Sequence, residues 1–167
     1  MSPSADLQLF LLRHADAGDP EAWRGDDADR PLSAKGEAQA ERLGAFLAGI
    51  GFTTDAVISS PKVRARRTAE IVAAAIGATV RLDERLGRGF DASVVDAILR
   101  DAGHPRRPVL AGHDPDFSEL LSWLSGASAV TMKKGAFARI DVKGAVADGR
   151  ATLRWLVPPD LLDPERR

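Results

Sequence analysis

The run Leu7-Gln8-Leu9-Phe10-Leu11-Leu12 is apolar but for Gln8, as expected of a strand covered on both faces. Residues 15–32 then turn polar, with Gly18, Pro20, Gly25 and five Asp, which predicts a long surface loop holding a short helix around Glu21 to Arg24. Ser33 caps a helix running to about Ala48, with Leu43, Phe46, Leu47 and Ile50 as its apolar stripe and Gly49 and Gly51 at its exit. Gly36 sits early in that helix and needs a packing reason, since Gly there costs about 1 kcal/mol against Ala. Ala56 to Ser59 is a short strand, and Ser60-Pro61 opens a helix to Ile76 with Ala65, Ala69, Val72 and Ile76 inward. Val80 and Leu82 mark a third strand, Val94 to Leu99 a helix, and Pro108 to Ala111 a buried strand ending at Gly112-His113. Asp114-Pro115 starts another helix carrying Phe117, Leu120, Leu121 and Leu124, and two strands, Phe137 to Val142 and Thr152 to Val157, close the pattern. Trp123 and Trp155 are read as core residues.

Strands alternating with helices imply an α/β fold. The expected architecture is a single-domain three-layer α/β/α sandwich, its mostly parallel central sheet ending in an antiparallel edge. One domain is expected over residues 1–167, with a core of about 6–158 and a C-terminal tail of 159–167. The length of 167 residues suits one core without staples.

Composition removes several functions. The absence of Cys excludes disulfides, thiolate nucleophiles and Cys-held iron–sulfur clusters. Three scattered His give no zinc-finger spacing, and a net charge of -1 argues against a long polyanion footprint. No G-x-S-x-G elbow, nucleotide-binding glycine motif or EF-hand spacing is present. The first residues lack a basic leader, and the apolar run ends at Arg13-His14. A cytoplasmic protein that uses neither membrane nor nucleic acid is therefore expected.

The chemistry gathers at predicted strand ends. Arg13-His14, Ser59-Ser60-Pro61 leading to Arg64, and Gly112-His113 all fall where ligands collect in open α/β sheets. Each has a plainer reading. Either His could close a loop, and Lys62, Arg64, Arg66 and Arg67 could form a solvated helix face, the reading preferred for Lys62 and Arg66. A guanidinium at the end of a buried strand, and another in the first turn of a helix, both gain from an anion.

Four ordered motifs carry a resemblance. Leu11-Leu12-Arg13-His14-Ala15-Asp16, Arg30-Pro31-Leu32-Ser33-Ala34-Lys35-Gly36, Ser59 to Glu70 and Val109 to Pro115 together resemble the histidine phosphatase, or phosphoglycerate mutase-like, superfamily. The SixA type of phosphohistidine phosphatase is the nearer likeness. The resemblance implies that His14 is the nucleophile, that Arg13 and Arg64 clamp phosphate, and that His113 is the second pocket histidine. Glu84 resembles the acid of larger relatives, with Asp16 a second candidate for the pocket, and no metal or other cofactor is implied. The implied reaction is metal-independent dephosphorylation through a phosphohistidine intermediate. Its substrate is a phosphorylated protein such as a histidine phosphotransfer domain, or else a small phosphometabolite. A catalytically silent phosphate-binding module is the alternative of another class.

Overall fold

A computed structural model describes residues 7–166. Ten strands and helices alternate as the pattern predicts. They are β1 Leu7–Arg13, α1 Ala34–Gly49, β2 Ala56–Ser59, α2 Val63–Ala75, β3 Val80–Leu82, α3 Ala92–Asp101, β4 Pro108–Gly112, α4 Asp116–Ser125, β5 Phe137–Val142 and β6 Ala151–Val157. The six strands form one sheet in the order β3-β2-β4-β1-β5-β6. The pairs β2–β3, β2–β4 and β1–β4 are parallel, whereas β5 and β6 join antiparallel at the edge.

Strand alternation divides the core between the two faces. Leu9, Leu11, Ile58 and Leu110 point to the side covered by α3 and α4, where they meet Val95, Ile98, Phe117 and Leu121. Phe10, Leu12, Val57 and Val109 point to the side of α1 and α2, against Leu43, Leu47, Ala69 and Val72. Three layers follow.

Local chemistry explains how α1 is placed. The Ser33 side chain accepts the Gly36 N–H at 3.0 Å and so caps the helix. A Cβ at Gly36 would lie 1.9 Å from the Asp16 carbonyl oxygen, so the helix approaches the loop behind β1 at a distance only Gly allows.

Several expectations need correction. Phe46 and Ile50 are exposed, and α1 packs through Gly36, Ala40, Leu43, Gly44 and Leu47. A Cβ at Gly44 would come within 2.8 Å of the Ala75 Cβ, so small residues set the α1–α2 contact in place of a wide aliphatic stripe. Trp123 is 51% exposed, whereas Trp155 packs beside Phe10 and Phe137. The loop 15–32 holds two 3₁₀ turns, Pro20–Ala22 and Asp27–Asp29, each started by an Asp side chain. Residues 159–166 are not a loose tail. Pro159 is buried, Leu162 packs on the α1–α2 side of the core, and Arg42 of α1 stands 3.8 Å from Asp163.

Candidate active site

The parallel register pairs Arg13 with Gly112, which puts the next residues, His14 and His113, at neighbouring strand ends. The His14 N–H donates to the Gly112 carbonyl at 2.9 Å, and the Gly135 N–H donates to the His14 carbonyl at 2.9 Å. At the end of β2, the Ser60 N–H donates to Ala111 at 2.9 Å. Three strand ends therefore meet, and the imidazole centroids of His14 and His113 lie 5.2 Å apart.

Both rings are buried. His14 Nδ1–H donates to the Ala15 carbonyl at 2.7 Å, which leaves the lone pair on Nε2. Burial, with smaller contributions from Arg64 and Arg13, lowers the His14 pKa to about 4, so the ring is neutral near pH 7. Burial, then the charges of His14 and Arg64, lowers that of His113 to about 3. His113 Nε2 lies 2.8 Å from Ser60 Oγ, which also accepts the Lys62 N–H at 3.2 Å. Donation by the Ser60 hydroxyl to Nε2 leaves no hydroxyl proton orphaned and puts the His113 proton on Nδ1, a buried atom with no protein partner.

His14, His113, Arg13 and Arg64 line one cavity of about 520 Å³. Lys62, Arg30, Arg88 and Lys134 join them, against only two acids, Asp114 and Asp116. Arg13 is tied to the Met132 carbonyl and lies 3.2 Å from Asp114. Arg64 donates to the Asp27 carbonyl at 2.6 Å and to its carboxylate at 2.9 Å, and burial lowers its pKa. The Nε atoms of both arginines are buried without an acceptor among the described residues. Orphaned donors on three lining residues, with excess positive charge, suit an oxyanion. Among the described residues no group of three His, Cys, Asp or Glu is placed to hold a metal ion.

The structure does not bring every candidate here. Glu84 begins a 3₁₀ turn, Glu84–Gly87; its side chain is 73% exposed, lies 4.0 Å from Arg88 and stands outside the cavity lining. The Asp16 carboxylate accepts the Ser33 hydroxyl at 2.6 Å and the Gly18 N–H, so it organises the loop that follows β1. The Ser33 hydroxyl holds its pKa below the ordinary value. Lys62, expected on a solvated face, is half-buried and lines the cavity, whereas Arg66 is exposed and pairs with Glu70. Arg30 and Asp27 went without a role in the sequence; their signal was an Arg heading a motif and an acid in the polar loop. Thr68 accepts the Ala15 N–H at 3.0 Å and donates to the Arg64 carbonyl at 2.7 Å, tying α2 to the residue after His14.

Comparison with known proteins follows this geometry. Residues 9–88 match the histidine phosphatase superfamily (branch 1). An uncharacterised protein of Picosynechococcus sp. is 35% identical over 116 residues, covering 68% of this chain and 70% of that one. The chain belongs to the histidine phosphatase superfamily. Its homology is to phosphoric monoester hydrolases. Probable phosphoglycerate mutase GpmB of Citrobacter koseri is 34% identical over 116 residues, 64% of this chain, and the chain spans 51% of that relative's length. Among solved structures, the protein histidine phosphatase SixA complexed with tungstate aligns over 94% of this chain and 100% of its own, with TM-score 0.80 and 23% identity. The alpha-ribazole phosphatase from Shigella flexneri aligns over 92% of this chain and 97% of its own, with TM-score 0.67 and 21% identity. At those identities the structural likeness is one of fold. No helix among the described residues is long and apolar enough to cross a membrane.

Proposed function

We propose that this histidine phosphatase removes phosphoryl groups through a covalent intermediate on His14, and that its substrate is a phosphohistidine of another protein. The observation that carries the mechanism is the hydrogen bond from His14 Nδ1 to Ala15, which leaves Nε2 as the nucleophilic atom of a neutral ring inside a cationic cavity. Nε2 forms a bond to phosphorus as the bond from phosphorus to the substrate nitrogen breaks, and the departing imidazole takes its proton from solvent. Water then cleaves the phosphorus–Nε2 bond, which releases phosphate and restores His14. Arg13 and Arg64 stabilise the charge spread over the transferring oxygens, and His113 Nδ1–H donates to one of them. For Arg64 the phosphoryl oxygens replace the Asp27 carboxylate as acceptor.

Two features favour a phosphorylated protein over a small ester. Glu84 is largely exposed and outside the cavity lining, an arrangement that supports an imidazole leaving group, which needs less help from an acid than an alkoxide does. Between β3 and α3 lies only the turn Glu84–Gly87, with no helical insertion to cover the opening.

The test sets wild type beside His14→Ala on a phosphorylated phosphotransfer domain, phosphoramidate and a panel of phosphometabolites. Wild type is expected to hydrolyse the protein with the largest kcat/KM and to trap acid-labile phosphate on His14. The variant should keep its circular dichroism spectrum and lose turnover. Substantial turnover by the variant defeats the covalent role, and a larger kcat/KM for one metabolite defeats the protein substrate.

A further inference from the structure

The phosphoryl cavity has a second one beside it, with which it shares a lining residue. Gly87, Arg88 and Gly89 line the first, and the chain continues without a break as Phe90 to Ser93 along a second cavity of about 400 Å³. Asp116, the first residue of α4, lines both. Beyond it Glu119, Leu120 and Trp123 form one face of the same helix, at spacings of three and four residues. The groove thus adjoins the proposed reacting centre, beside which the remainder of a substrate must lie.

Its chemistry reverses that of the phosphoryl cavity. Asp91, Asp116 and Glu119 line it, with no Lys or Arg in its lining among the described residues. Asp91 is committed to the start of α3, where it accepts the Ser93 hydroxyl and the Val94 N–H. Asp116 and Glu119 remain. Burial, then repulsion from Glu119 and, more weakly, from Asp114, raises the Asp116 pKa; the Phe90 N–H and Lys62 oppose that rise only in part. Between these acids lies an apolar surface of Phe90, Leu120 and the exposed Trp123.

We propose that this groove seats an Arg or Lys side chain lying close in sequence to the phosphohistidine of a protein substrate. The proposal rests on the function proposed above and adds to it a preference for a basic flank. A long basic side chain satisfies each surface at once. Its methylenes cover Phe90 and Leu120, while its charged head meets Asp116 and Glu119 and the face of Trp123. An acidic flank would meet like charge, and a purely apolar one would bury both carboxylates without a partner.

The experiment compares two phosphohistidine peptides, one with Arg and one with Glu within two residues of the phosphohistidine, and phosphoramidate, which has no flank. Wild type should favour the Arg peptide by about tenfold in kcat/KM, the ratio expected of one partly desolvated charge contact. Glu119→Arg, a change at an exposed position, should abolish or invert that preference, with phosphoramidate turnover within about twofold of wild type. Trp123→Ala should reduce it. Equal rates on the two peptides, or a preference that survives Glu119→Arg, overturns the groove while phosphoramidate turnover still supports the enzyme. Loss of phosphoramidate turnover in wild type overturns the functional reading and the groove with it.

Discussion

In the mechanism proposed above, the His14 imidazole is set for attack by surroundings of opposite effect. The Ala15 carbonyl fixes its tautomer and favours the protonated ring, while burial, Arg64 and Arg13 disfavour a second proton more strongly. Titration followed by NMR should place the ring midpoint at about 4, and a midpoint near 6.5 would show the ring to be solvated. The sign for stability follows. The unfolded chain takes up this proton before the folded one, so stability is full above pH 6.5 and is lost as pH falls toward 4. Urea midpoints should drop across that window, with His113 acting in the same direction. Residues at this scale were legible where a polar side chain directly ends an apolar run, as at Arg13, His14 and His113. Arg30, Asp27 and Lys134 enter the site from loops or loop ends, whose paths leave no periodic trace in the sequence.

Among the elements, α1 shows most clearly what pattern alone conveys. Its length, its Ser33 cap and two inward residues, Leu43 and Leu47, were readable, but the rest of its inward face was not, because Phe46 and Ile50 look like part of the stripe and are exposed. The contact surface is built from small residues that hydropathy passes over. Gly36→Ala tests that surface. An isolated helix would gain about 1 kcal/mol from Ala, but here the new methyl meets the Asp16 carbonyl. A net loss of about 1–3 kcal/mol is expected from thermal or urea unfolding. Phosphoramidate turnover should fall as well, since Asp16 lies two residues beyond His14. Unchanged stability would mean that α1 can shift at no cost.

At the scale of the molecule, alternating strands and helices foretold the sandwich and its antiparallel edge, because strand register and face alternation are written in every second residue. The end of the chain escaped that logic. Its prolines suggest a tail, yet Leu162 reaches the core and Asp163 lies beside Arg42. Removal of residues 159–167 should cost about 1–2 kcal/mol in urea unfolding, the scale of one partly buried Leu, and an unchanged midpoint would return the segment to the status of a tail. The pairing of Arg13 with Gly112 has a wider consequence. The two imidazoles follow one rung of the ladder, on adjacent strands, while residues 87–93 border the opening. On the function and the groove proposed above, reactivity and taste for substrate are thereby mounted on separable parts: a lineage can redraw the border, exchanging one clientele for another, without disturbing the spacing on which bond-making depends.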